Sequence, residues 1–145
     1  VAFRSAKGRS FAERKTTLVS SVRRLGGHHF AGAQFFQTQA IYQPEQFKKF
    51  MEAVRPFKVK VLAGILLLRN AKMAEFMNAN IPGVCVPQEM IDEMRAAGDK
   101  RALDAGVEIA VRTIKAVRPY CDGVHIMAIK STERLPEILT KAELG

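Results

Sequence analysis

Hydrophobic and polar positions change their period several times along the chain, and each period predicts a different type of element. The stretch 31–39 is short and apolar and ends in amide side chains, which favours a buried strand. The run 59–66 is continuously apolar and rich in Val, Ile and Leu, as is typical of a strand covered on both faces in a parallel sheet. The segment 123–129 alternates in period two and predicts the last strand.

Between these strands, apolar residues recur at the spacing of amphipathic helices. A helix begins at Pro44 and ends at Arg55-Pro56, and Asn70 caps a second helix whose core-facing residues are Met73, Phe76 and Met77. Three more helices are predicted, one opened by Pro87 and ended by Gly98, one over 102–117, and one over about 133–142.

This succession of βα units predicts an α/β fold with parallel strands and right-handed crossovers. A complete eight-stranded barrel needs about 250 residues. The chain has 145 residues and three predicted strands, enough for about three of eight units. The pattern leaves two architectures open, a small open α/β sheet and the last part of a larger barrel.

The first strand carries an unusual pair of amides. Strict alternation places Phe35, Gln37 and Gln39 on one face and Phe36 and Thr38 on the other. A buried amide needs hydrogen-bond partners, so the two glutamines indicate either an internal polar network or a ligand. Gly64, near the end of the second predicted strand, stands where a close backbone approach or a bulge is expected.

Composition excludes several classes of protein. With 48% hydrophobic residues the chain has enough apolar side chains for a globular core, and no apolar run approaches the roughly 20 residues of a membrane span. Two cysteines without a CxxC pair indicate a cytoplasmic protein with buried, inert thiols. The His28-His29 pair has no cysteine or carboxylate cluster nearby, so no metal site is predicted.

The net charge of +9 is concentrated at the start of the chain. Residues 1–30 hold seven basic residues and one acid, whereas the other 115 residues hold 16 basic and 13 acidic ones. We therefore divide the chain into a basic segment, 1–30, poorly ordered or helical, and a domain, 31–145. A basic segment leaves a small nucleic-acid-binding module as an alternative function, although such segments are usually only solvated.

Several motifs in order resemble the methylenetetrahydrofolate reductase family, closest to the branch found in anaerobic one-carbon metabolism. They cover about residues 31–140 and comprise Ala31-Gly32-Ala33 with Thr38-Gln39, then Ala63-Gly64-Ile65-Leu66 with Asn70, then Ile81-Pro82, and finally Val124-His125-Ile126. The resemblance implies a (βα)8 barrel that binds FAD. Such an enzyme takes a hydride from NAD(P)H or another donor and reduces 5,10-methylenetetrahydrofolate to 5-methyltetrahydrofolate in methionine biosynthesis.

The resemblance also implies roles for individual residues. Gln39 matches the family glutamine that binds the folate pterin or the nicotinamide carboxamide, and Gln37 is its neighbour. Met127 and Ile129 match positions that approach the flavin, and Ile129 also approaches the folate. We expect His125, on the same face, to be a structural histidine bonded to a neighbour.

By the same resemblance, residues 31–145 correspond to the last three units of an incomplete TIM barrel. The family's general acid and most of its FAD contacts lie on earlier strands, so no catalytic residue is assigned. Little activity is then expected from the chain alone, and its partners would be the missing barrel half or a partner subunit. Ala71 and Ser131 stand where the family has an aromatic residue and an arginine, which leaves the electron donor open. A structural α/β domain in which Gln37 and Gln39 satisfy each other is a further alternative.

Overall fold

A parallel three-stranded sheet organises the part of the chain that the structure describes. The structure is a computed structural model, and it describes residues 35–144. Strands β1 (Phe35–Ala40), β2 (Lys60–Leu66) and β3 (Gly123–Met127) lie in the order β1-β2-β3, and both neighbouring pairs are parallel. The helices are α1 (Pro44–Val54), α2 (Ala71–Asn80), α3 (Gln88–Ala97), α4 (Ala102–Val117) and α5 (Leu135–Lys141). This arrangement confirms the predicted α/β class with parallel strands and is consistent with a partial TIM barrel.

Local signals in the sequence set most helix boundaries. Pro44 occupies the first turn of α1, where its missing N–H leaves no hydrogen bond unmade. The Asn70 side chain accepts a hydrogen bond of 2.8 Å from the Met73 N–H and so caps α2, as predicted. Helix α4 covers Ala102–Val117, the predicted range. The last helix begins two residues later than predicted, at Leu135, after a 3₁₀ turn over Thr132–Arg134.

The main core lies between one face of the sheet and three helices. Alternate residues of β2, Val61, Ala63 and Ile65, are almost fully buried. They pack in one cluster with apolar side chains of α1, α4 and α5, among them Phe47, Met51, Val107, Ala110, Ile114 and Ile138. The burial of these side chains supplies the main apolar stabilisation of the sheet.

The prediction that β2 is covered on both faces is wrong for the described residues. Leu62 and Leu66, which alternate with the buried positions, are only half-buried. The prediction of a buried first strand fails in the same way, because Phe35 is 62% exposed and Gln37 and Gln39 are exposed. The physical reason is that, within residues 35–144, the helices of the main core cover the opposite face of the sheet.

A second, smaller core lies beyond the C-terminal ends of the strands. Helices α2 and α3 contribute Ala74, Met77, Ile91 and Met94 to this cluster, and Tyr42 and Leu68 join it from the strand ends. The Tyr42 hydroxyl donates a hydrogen bond of 3.0 Å to the Leu66 carbonyl, and burial raises the pKa of Tyr42 well above its ordinary value.

Phe76, which was predicted to face the core, and Leu139 of the last helix are exposed. Phe76 is 60% exposed, because the buried stripe of α2 runs through Ala74 and Met77, and Phe76 lies about a quarter turn away from Met77. Leu139 of α5 is 40% exposed, next to the fully buried Ile138. Within the described range, no helix is long and apolar enough to cross a membrane.

Gly106 fixes the distance between α4 and the chain that leaves β2. A Cβ atom on Gly106 would lie 1.8 Å from the Leu68 carbonyl oxygen, which is backbone and cannot swing aside. We predict that Gly106→Ala lowers the free energy of unfolding by about 2–3 kcal/mol, since α4 must move away from the sheet. Urea denaturation followed by circular dichroism measures this change.

The matched control separates contact from helix propensity. Ala116 lies on the exposed side of the same helix, and Ala116→Gly is expected to lower stability by about 1 kcal/mol through propensity alone. At a helical position without a close contact, a Gly→Ala substitution raises the free energy of unfolding. A stabilised Gly106→Ala variant would therefore refute the close contact.

Candidate functional site

The sheet face opposite the main core carries the residues that the sequence singled out on β1 and β3. We call it the open face, because no helix of the main core covers it. Register pairs Gln37 with Leu62, Leu62 with Gly123, Gly64 with His125 and Leu66 with Met127. Paired residues of neighbouring strands point to the same side. The open face therefore comprises Phe35 and Gln37 of β1, Lys60, Leu62, Gly64 and Leu66 of β2, and His125 and Met127 of β3.

A hydrogen bond between side chains crosses the middle strand on this face. The Gln37 amide nitrogen lies 2.5 Å from Nδ1 of His125. Two strand spacings separate β1 from β3, about 10 Å, so the two side chains must meet above β2. The register partner of His125 on β2 is Gly64, which has no side chain. The expectation that His125 is bonded to a neighbour is confirmed, and its partner is Gln37.

A β-bulge ends the regular pairing of β1 with β2. Gln37 pairs with Leu62 but Ala40 pairs with Gly64, so the register shifts between them. Here the Thr38 hydroxyl replaces a backbone acceptor. It accepts a hydrogen bond of 2.9 Å from the Gly64 N–H and donates one of 2.8 Å to the Gln39 carbonyl. A Cβ atom on Gly64 would lie 2.5 Å from the Thr38 carbonyl oxygen. The predicted close approach at Gly64 is thus confirmed.

The bulge gives the two glutamines different surroundings. Gln37 and Gln39 are both exposed, in phase with the predicted alternation, and the register shift lies between Gln37 and Ala40. The Gln39 side-chain oxygen occupies the space beside Gly83, 2.9 Å from where a Cβ on that residue would stand. Gly83 lies in the connection between α2 and α3 and has a φ of 89°, in the left-handed region that favours glycine. In the described part of the chain, no hydrogen bond joins Gln37 to Gln39.

The Asn78 amide holds the C-terminal end of the connection beside Gln39. Asn78 of α2 accepts a hydrogen bond of 2.7 Å from the Val86 N–H and donates one of 2.9 Å to the Val86 carbonyl. The N–H and the carbonyl of Val86 are therefore both hydrogen-bonded, as they would be beside a neighbouring strand. The segment includes Ile81-Pro82, one of the motifs that carry the family resemblance.

The structure separates the two residues predicted to approach a flavin. Met127 is the last residue of β3, half-buried, and belongs to the open face. Ile129 lies past the end of the strand and is 58% exposed. The prediction that the strand continues to Ile129 is wrong, because the chain turns after Met127 and Lys130 adopts a left-handed φ of 57°.

A charged cleft that sequence reasoning missed lies at the C-terminal edge of the sheet. It has a volume of about 860 Å³ and is lined by residues that follow β2 and β3, among them Arg69, Asn70, Lys130 and Ser131. The position of these residues in the sequence could have indicated the cleft, because residues directly after parallel strands lie at the same edge of the sheet.

The two cysteines take no part in the open face. Both are free thiols and half-buried, so the prediction of full burial is wrong. Cys85 accepts a hydrogen bond from Gln43, and burial raises the pKa of Cys121, which keeps this thiol protonated. Within residues 35–144, no group of three potential ligands is placed to hold a metal ion. His28 and His29 lie outside the described residues.

Comparison with protein families gives a match that covers most of the chain. The sequence matches the family described as methylenetetrahydrofolate reductase over residues 12–143. The chain belongs to the methylenetetrahydrofolate reductase family. Membership supports a folate-related oxidoreductase, and the match begins before residue 31, where the motifs of the resemblance start. The methylenetetrahydrofolate reductase region thus includes part of the basic segment 1–30. A comparison with curated proteins gives no match.

The Thr38 hydroxyl is expected to stabilise the bulge that positions Gln39. We predict that Thr38→Val lowers the free energy of unfolding by about 1–3 kcal/mol, because the Gly64 N–H loses its acceptor and the shape of the side chain is preserved. Thr38→Ser keeps the hydroxyl and serves as the control. Equal stability of the Val and Ser variants in urea denaturation would show that this hydrogen bond contributes nothing.

Proposed function

We propose that the chain forms part of a flavin-dependent reductase that converts 5,10-methylenetetrahydrofolate into 5-methyltetrahydrofolate. One observation carries this proposal. Two neutral amides, those of Gln37 and Gln39, and an apolar surface lie together toward the C-terminal ends of parallel strands. Active sites of (βα)8 barrels lie at those ends. In this proposal β1, β2 and β3 are the last three strands of such a barrel, and the open face is turned toward its interior.

Gln39 is the residue that we assign to the folate. A primary amide offers two donors and one acceptor group without a net charge, which suits the edge of a pterin or of a nicotinamide carboxamide. The bulge fixes its backbone, and Gly83 leaves room for its side chain. Gln37 is assigned to the same substrate from the neighbouring position, with His125 holding its amide nitrogen.

The apolar part of the open face fits a flavin ring. Leu62, Leu66 and Met127 are half-buried, and together they would cover one side of a flat, largely apolar ring system. When bound, FAD supplies the hydride chemistry. The residues of this chain would exclude water and hold the folate in reach, which is a positioning role. Ile129, past the end of β3, is assigned to the rim where ring and folate meet.

Groups beyond the open face would complete the reaction. The open face, as defined by its residues, holds no carboxylate, so a general acid must come from elsewhere in the barrel or from a partner subunit. The hydride would come from NAD(P)H or another donor. In this proposal the chain has little activity until those groups cover the open face. The basic segment 1–30, on which a nucleic-acid-binding alternative rests, lies outside the described residues.

Loss of the Gln39 amide tests the assignment of the folate site. We predict that Gln39→Leu weakens binding of 5-methyltetrahydrofolate about tenfold or more, because at least one hydrogen bond is lost. Isothermal titration calorimetry on the chain measures the affinity. Gln88→Leu, an exposed glutamine on α3, is the matched control and should leave the affinity unchanged. Equal affinities for both variants would remove Gln39 from the site.

Substitution of Met127 tests the assignment of the flavin surface. We expect Met127→Gln to weaken FAD binding about tenfold, since it places an amide against the apolar side of the ring. Ile129→Gln, past the end of the strand, should have a smaller effect because Ile129 is more than half exposed. Quenching of flavin fluorescence measures both affinities. A larger loss in the Ile129 variant would place the ring outside the open face.

A further inference from the structure

The hydrogen bond between Gln37 and His125 fixes more than the position of the glutamine. The Gln37 amide nitrogen donates to Nδ1 of His125, which requires Nδ1 to carry no proton. With its nitrogen held by the histidine, the amide turns its carbonyl oxygen away from that contact. Gln37 is exposed, so this oxygen is available to a ligand on the open face.

Protonation of the imidazole reverses this arrangement. In the imidazolium both ring nitrogens carry a proton and are donors. Nδ1 then can no longer accept a hydrogen bond from the Gln37 amide nitrogen. Rotation of the amide by half a turn restores a hydrogen bond, now from Nδ1–H to the carbonyl oxygen. The amide nitrogen is then the end presented to the open face. One proton thus exchanges an acceptor for a donor at an otherwise unchanged position.

We propose that His125 acts as a positioning residue that selects which end of the Gln37 amide meets the substrate, and that its protonation weakens folate binding. This inference rests on the proposed function. The pyrimidine edge of a pterin carries an amino group and a ring N–H, which are donors. They match the Gln37 carbonyl that neutral His125 leaves outward, and they oppose the amide nitrogen that protonated His125 leaves outward.

The ionisable group of the open face other than His125, Lys60, keeps a constant charge between pH 5 and 8. On β2 the open face carries Lys60, whose ammonium lies 2.8 Å from a carboxylate oxygen of Asp122. That hydrogen bond lowers the pKa of Asp122 and raises the pKa of Lys60, so both stay ionised between pH 5 and 8. The open-face residues of β1, Phe35 and Gln37, do not titrate.

Binding of 5-methyltetrahydrofolate at pH 8 and pH 5 tests the inference. We expect the ratio of the two dissociation constants in the wild-type chain to exceed that of His125→Gln by about tenfold, with tighter binding at pH 8. His125→Gln is able to accept from Gln37 but does not titrate, so its ratio reports the ligand's own protonation. Gln37→Leu should also reduce the wild-type ratio to that of His125→Gln. Equal ratios in wild type and His125→Gln would overturn the inference and leave the proposed function standing.

A ligand-free measurement separates the inference from the proposed function. The side-chain NH₂ resonances of Gln37 in ¹⁵N-labelled protein should shift between pH 8 and pH 5 in the wild type and stay constant in His125→Gln. If neither pH gives binding of 5-methyltetrahydrofolate, the proposed function fails. The resonances then decide the reversal of the amide independently, and constant Gln37 signals in the wild type would overturn it.

Discussion

The close approach of β1 to Gly64 is the constraint on which the candidate site depends. The backbone of Thr38 and Gln39 occupies the space where any side chain at position 64 would lie. The register of β1 shifts beside this close approach, between Gln37 and Ala40. A side chain at position 64 would therefore displace the backbone of Thr38 and Gln39 and, with it, the Gln39 amide.

The two faces of the sheet divide stability from chemistry. Val61, Ala63 and Ile65 bury one face against helices, whereas the open face carries an amide, an imidazole and half-buried apolar side chains. Because successive residues of a strand alternate between faces, a single short strand serves both purposes. Membership in the methylenetetrahydrofolate reductase family supports an oxidoreductase, and the open face is where we assign its ligands.

Sequence patterns predicted what depends on local chemistry. The hydrophobic period predicted the range of α4 and the parallel strands. Residue type predicted the Asn70 cap and the close approach at Gly64. The family resemblance was confirmed by the family match. The roles given to Gln37, Gln39, Met127 and Ile129 stay predictions, as does the division of the chain at residue 30.

The errors arose where distant parts of the chain decide the outcome. Alternation within β1 did not reveal the register shift between Gln37 and Ala40, because such a shift depends on the partner strand. The partner of His125 lies 88 residues away in sequence, beyond the reach of any local pattern. Burial of Phe76 and full coverage of β2 were also mispredicted, because apolar character alone does not say which face a neighbouring element covers.

The amide of Asn78 has a consequence for the energetics of recognition. By bonding both polar groups of Val86, it ties α2 to the C-terminal end of the connection that contains Gly83. A loop that is ordered before a ligand arrives loses little conformational entropy on binding. The wall beside Gln39 is in this sense formed during folding.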